Sequence, residues 1–271
     1  MVPMGSGTGW INTEFSEISM DLNAAHLANT NYDLFVINDS GTLRLVSGPA
    51  WTSGTGRGTG AGTTQLSYTA GFLSNTVAMT ARYGATTTSV AIAAGLFVGT
   101  FRTNTSNGQT EWNPVPAAAA GGGNATAYVW NMYNRVTVGA SSRESDSTWN
   151  YTTLTWRSSN GSASNRITAL FGLNEDTAFV AATGASQNAT NSNRYTGIGL
   201  DSTSAFSGIT GEIRNDRADA TSHTATYSGL AGLGVRFFQW LEASEAAGTT
   251  TWSGDQGSTF VQTGIVAQFR M

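Results

Sequence analysis

Two histidines, His26 and His223, are the only side chains of this 271-residue chain whose ordinary titration falls near neutral pH. Neither stands beside a carboxylate motif, and no Gly-x-Ser-x-Gly elbow accompanies them, so both are expected to be hydrogen-bonded structural residues. Glycoside hydrolysis asks for less, namely two carboxylates about 5–10 Å apart. Glu175, Asp176, Glu212, Asp216 and Asp219 could supply them, and Trp130, Trp149 and Trp156 could stack on sugar rings. The tryptophans, however, sit within alternating segments where they fill a core, and the acids sit at segment ends where solvated turns lie. The oxygen-rich stretches Asn38-Asp39-Ser40 and Asn215-Asp216-Arg217-Ala218-Asp219 could face calcium, but neither has the ordered spacing of an EF-hand loop. Turn chemistry is expected at both. The chain is therefore read as non-enzymatic, with no catalytic residue, no metal ligand and no cofactor.

Composition narrows the field in the same direction. Charged residues are 11% of the chain, against about 25% in an average soluble domain. All 13 basic residues are Arg, and Thr (40), Ser (28) and Gly (33) fill more than a third of the positions. Absence of Cys removes disulfides, thiol nucleophiles and Cys-ligated zinc. Absence of Lys removes P-loop and Schiff-base chemistry. A net charge of -4 without a basic cluster speaks against nucleic acid as a partner. No apolar run reaches the ~20 residues of a membrane helix, and the first residues carry neither the basic nor the apolar region of a secretory signal. No membrane association is expected, and folding is expected in a cytoplasm.

The elements that must position these residues read as strands. Tyr32–Ile37 and Thr42–Val46 flank Asn38-Asp39-Ser40-Gly41, whose residues tolerate the left-handed backbone of a tight reversal, so a hairpin is expected. Glu17–Leu22 alternates like a strand, with a helix over Ser16–Leu27 as the alternative. Further strands are expected at 89–94, 96–103, 127–133, 135–140, 149–157, 166–173, 177–182, 194–200, 225–230, 234–242 and 259–270. Two low-complexity stretches, the alternating glycines of 54–62 and the Pro- and Ala/Gly-rich 114–124, read as long loops. The whole predicts an all-β chain: a β-sandwich or jelly-roll-like domain over 13–271 with long Gly/Thr- and Ala/Gly-rich loops, preceded by a flexible arm at 1–12.

Several motifs stand in a specific order. They are Asn31-Tyr32-Asp33-Leu34-Phe35, Gly41-Thr42-Leu43, Ala50-Trp51-Thr52 and Val98-Gly99-Thr100-Phe101-Arg102-Thr103, then Gly108-Gln109-Thr110-Glu111. After these come Val129-Trp130-Asn131-Met132-Tyr133-Asn134-Arg135-Val136, Thr148-Trp149-Asn150-Tyr151-Thr152 and Ile198-Gly199-Leu200-Asp201-Ser202-Thr203. This order, over roughly residues 10 to 205, resembles a family of β-rich virion proteins of tailed bacteriophages and prophages, usually labelled tail fibre or minor structural protein. The resemblance implies a particle component, most often a homotrimer, without known catalytic residues. The compact length, with extra loop material at 54–62 and 114–124, favours a capsid decoration, cement or short head-fibre protein over a long tail fibre. Its expected partners are copies of itself, the major capsid protein or other virion proteins, and on the receptor-binding alternative a host surface glycan. Its expected location is the virion.

A surface poor in charge and rich in hydroxyls suits packing against sister copies, because long charged side chains are costly to desolvate. Aromatic and arginine residues dominate buried hot spots, so Trp10, Phe15, Arg57 and Trp112, in or beside loop-like segments, are the candidate interface anchors, with ordinary loop packing as the alternative for each. The Gly-rich stretches near 1–9, 54–62 and 117–123 are expected either to serve as arms that lie along a neighbour or to stay disordered.

Overall fold

The computed structural model describes residues 2–5, 10–190, 192–215, 220–258 and 260–271. The chain is all-β, as the periodicity predicts. Among the described residues the one helical element is a 3-10 turn at Ser159–Gly161.

Three sheets make up the body. The first is eight-stranded and runs Leu66–Thr69, Phe72–Asn75, Leu96–Arg102, Asn31–Asp39, Thr42–Ala50, Met79–Tyr83, Thr86–Val90, with Val129–Asn131 added alongside Leu96–Arg102. The second runs Trp112–Asn113, Ala125–Ala127, Arg166–Phe171, Gly234–Ser244, Ser192–Leu200, Gly211–Asn215, with Arg157–Ser158 on Gly234–Ser244. The third runs Thr137–Glu144, Thr263–Arg270, Thr177–Asn188, Thr250–Ser253, Thr148–Asn150, with Thr221–Leu230 paired to Thr177–Asn188. Pairing is antiparallel except between Ala125–Ala127 and Arg166–Phe171. Inward-facing residues of all three sheets meet in one apolar cluster that includes Phe35 and Phe97, Ile167 and Trp240, and Val180 and Ile265. Alternation in the strands is what permits this: Thr263–Arg270 buries Ile265, Ala267 and Phe269 and turns Val266, Gln268 and Arg270 outward.

The expected hairpin forms with Asp39 opposite Thr42 and a two-residue turn. Ser40 and Gly41 both have positive φ (53° and 93°), and the Gly41 N–H donates to Asn38 Oδ1 at 2.7 Å, which accounts for this run of turn residues.

Other expectations are corrected. Glu17–Leu22 forms neither strand nor helix. Its alternation survives as burial, with Ile18, Met20 and Leu22 half-buried and Glu17, Ser19 and Asp21 exposed, but no neighbouring strand offers a ladder. The strand expected at 89–94 ends at Val90. There the Asn75 side chain donates to the Val77 and Ala91 carbonyls and accepts from the Gly95 N–H, replacing the ladder with a side-chain clasp. The run 149–157 is broken into Thr148–Asn150 and Arg157–Ser158 by a turn in which the Tyr151 hydroxyl donates to the Thr155 carbonyl. The hairpin Leu66–Thr69/Phe72–Asn75 and the strands Met79–Tyr83, Gly211–Asn215 and Thr250–Ser253 lie where no strand was expected.

Of the expected arm 1–12, the described residues form an antiparallel hairpin, Val2–Gly5 with Trp10–Thr13. Met4 is buried against Val36 and Leu96, so this part is docked on the first sheet by its own apolar side chain.

Candidate functional site

The acids named as possible catalysts divide by position. Glu175 and Asp176 come together in the turn before Thr177–Asn188, where both pair with Arg135; the Glu175 contact is 2.5 Å. Burial opposes the Arg135 charge, and the two carboxylates more than offset that and raise its pKa. The guanidinium also lies 5.0 Å above the Trp130 ring. Trp130 is thereby sealed into the core, stacked on Phe97, rather than offered to a ligand. Around this ion triad runs an open groove of about 390 Å³ lined by Met132, Tyr133, Asn134, Arg135, Glu175, Asp176 and Arg270. Its two cations and two carboxylates balance, leaving a neutral, hydrogen-bonding surface with the half-exposed Tyr133 ring at its side.

Glu212 lies on Gly211–Asn215, opposite Tyr195. Asp216 and Asp219, and with them most of the second oxygen-rich stretch, lie outside the described residues. In the first such stretch Asp39 is held by Arg44 at 2.8 Å, so that stretch is a turn with an ion pair. Among the described residues no cluster of three or more His or acidic side chains is placed to hold a metal.

Trp149 and Trp156 are half-buried. The Trp149 indole N–H donates to Glu242 at 2.8 Å, and Trp156 packs on Phe206 and Tyr195. Glu242 leads to what sequence reasoning missed. Glu242 and Glu144 are both fully buried on inward strand positions and flank the Ser159–Gly161 turn. Glu144 accepts from the backbone N–H groups of Gly121 and Asp146 and from the side chains of Asn160 and Asn165. Glu242 accepts from Trp149 at 2.8 Å, from Ser159 at 3.3 Å and from the Arg157 guanidinium at 2.7–2.8 Å. Burial pushes the Glu242 pKa up, and Arg157 and Trp149 work against that shift. Both carboxylates are consumed by internal donors and clamp four strands and the 114–124 loop. Gly121 and Gly122, at positive φ, let that loop approach Glu144. The one available signal in the sequence was an acid interrupting apolar alternation, as in Trp240-Leu241-Glu242.

Both histidines are buried. His26 accepts from the Asn23 N–H and lies 3.0 Å from Ser47 Oγ, and burial lowers its pKa. His223 lies 3.3 Å from Ser186 Oγ. Burial first, then the nearby Arg194 charge, lowers its pKa to about 4.

The four expected anchors are scattered. Trp10 is half-buried; its N–H donates to the Thr69 carbonyl at 2.7 Å and its ring packs on Phe72, so it fastens the N-terminal hairpin. Arg57 turns inward, forming a two-point ion pair with buried Asp33 (2.7 and 2.9 Å), donating to the Gly172 carbonyl and covering Trp51. The 54–62 loop is thus pinned to its own chain. Phe15 and Trp112 are exposed, 45% and 49%.

A more continuous surface lies on the outer face of the third sheet. In register across four strands stand Gly139, Gln268, Phe179 and Ser228; then Ser141, Val266, Ala181 and Thr226; then Arg143, Gly264, Thr183 and Thr224. These rows hold no carboxylate and one cation. Phe179 and Val266 are half-exposed, and shallow hollows of about 230 and 320 Å³ open beside them where glycine and alanine leave room.

No protein-family model matches this chain, and no curated protein matches it.

Proposed function

We propose that this chain is a non-enzymatic structural component of a bacteriophage virion, a trimeric capsid decoration, cement or short head-fibre protein. The observation that carries the reading is the outer face of the third sheet. Its outward rows are Thr, Ser, Gly, Ala and Gln around Phe179 and Val266, with Arg143 the one charge, a composition depleted of charge as the centres of protein interfaces are. Four strands spaced ~4.8 Å apart make a continuous patch that costs little to desolvate. The ordered motifs that resemble tailed-phage virion proteins point the same way, with copies of the same chain and the major capsid protein as partners.

The test is the mass of the purified chain by light scattering, with Phe179→Asp/Val266→Asp alongside, together with its copy number in purified particles. A trimer that the double variant dissociates, and hundreds of copies per particle, are expected. A monomer absent from particles overturns the reading.

A second reading, a tail fibre or receptor-binding protein, is favoured by the charge-balanced groove around Arg135 and Tyr133, whose neutral hydrogen-bonding lining suits a surface glycan. A few trimers per particle and retention on a bacterial glycan array would select it over the first.

A further inference from the structure

Among the described residues, Arg194 has the most buried side-chain nitrogens without a hydrogen-bond partner. It is fully buried, and its Nε and both terminal nitrogens have no hydrogen-bond partner among the described residues. Its inward direction follows from the alternation of Ser192–Leu200, where Ser192, Arg194, Thr196 and Ile198 all face the interior. Its register neighbours are Ile213 on one side and Ser244 on the other. Across from it stands the third sheet, where the Gly184 position lies against both His223 Nε2 and Thr196 Oγ1, the next inward residue on Arg194's own strand, and Ser186 lies beside His223.

The nearby hydroxyls bond other groups, not the guanidinium. Ser244 Oγ and Thr250 Oγ1 bond each other at 2.6 Å, and Thr196 Oγ1 accepts from the Trp240 indole at 2.8 Å. No carboxylate among the described residues pairs with Arg194, whereas Arg57, Arg135 and Arg157 each meet one. A guanidinium cannot shed its proton, and buried charges are paired or bind an ion. Removed from water with five N–H donors unmet, Arg194 requires an acceptor that the surrounding side chains do not provide.

We propose that Arg194, together with Ser186 and His223 of the facing sheet, forms an internal binding site for one small monovalent anion of chloride size, seated between the second and third sheets. One cation beside a neutral imidazole balances one negative charge, which disfavours a phosphate or sulfate dianion. A spherical halide accepts N–H and O–H donors from several directions without the planar geometry a carboxylate requires. The site is independent of where in a particle the chain sits.

The experiment compares the Tm of the full chain in sodium chloride and in sodium gluconate at matched ionic strength, for the wild type and Arg194→Met, and adds bromide to crystals of the wild type. With the anion bound only by the folded state, Tm is expected to rise by about 3–5 °C per tenfold increase in chloride above its Kd. That slope should vanish in Arg194→Met. An anomalous bromide peak is expected within hydrogen-bond reach of Arg194. Equal Tm in the two salts, a chloride slope retained in Arg194→Met, or no bromide peak at Arg194 overturns the proposal. The bromide measurement decides the matter on unaltered protein should Arg194→Met fail to fold.

Discussion

Two arginines turn inward and are handled in opposite ways. Arg57 reaches from a glycine-rich loop into the first sheet and meets Asp33 with two hydrogen bonds, and Thr100 fills another lone pair of that carboxylate at 2.8 Å. Arg194 projects from a regular strand of the second sheet and meets no acceptor among the described residues. In the first region a flexible loop folds around a charge pair and is fixed by it. In the second, the side chain direction is dictated by strand alternation, and the cation goes where the backbone sends it. A buried charge is thus a fastening only where its partner is built into the same region; elsewhere it is a demand on whatever can enter.

The largest effect expected from breaking this contrast is at the paired site. Asp33→Ala strands the Arg57 charge, and a loss of about 3–5 kcal/mol in unfolding free energy is expected in denaturant titrations. Asp33→Ala/Arg57→Met should recover much of it.

His223 reports the electrostatics of the Arg194 region through pH. Its folded pKa of about 4 lies below the ordinary 6.5, so between these values the unfolded chain binds the extra proton. Its contribution is fully present above pH 6.5 and is lost as pH falls towards 4, a drop of about 3 kcal/mol in unfolding free energy. Unfolding titrations across that range should show the slope in the wild type and lose much of it in His223→Gln.

Arg194→Met removes an unpaired buried charge and keeps the aliphatic bulk. In gluconate it should stabilise the fold by about 1–2 kcal/mol, where Asp33→Ala destabilises it. In chloride the gain should shrink, and thermal melts in the two salts measure the difference. The smallest effect is expected at the solvent-facing pair Arg44–Asp39. Arg44→Ala should cost less than about 1 kcal/mol and the cost should fade with added salt.

The sequence made the fold class and the best hairpin readable for the same reason. Alternation of period two and the turn run Asn38-Asp39-Ser40-Gly41 are local properties that do not depend on partners. Where local pattern and neighbours separate, reading failed. Ile18, Met20 and Leu22 alternate like a strand and bury like one, but a strand also needs a ladder, and none is adjacent. The short strands Leu66–Thr69 and Phe72–Asn75 lack a strong apolar pattern because the pairing, rather than the side chains, creates them. The site was legible only in part. Glu175 and Asp176 were visible as adjacent acids; that both would close on Arg135, forty residues earlier, was not.

What the sequence determined alone is the material: a charge-poor, hydroxyl-rich, lysine- and cysteine-free chain of alternating strands, because composition and period act residue by residue. The tertiary structure alone decided which charges are spent inside. It turned Arg57 from an expected interface anchor into a core fastening, buried Glu144 and Glu242 around one turn, left Arg194 without a partner, and gathered Phe179 and Val266 on one bare face. These outcomes depend on strand register across sheets, and register brings together residues that are far apart along the chain.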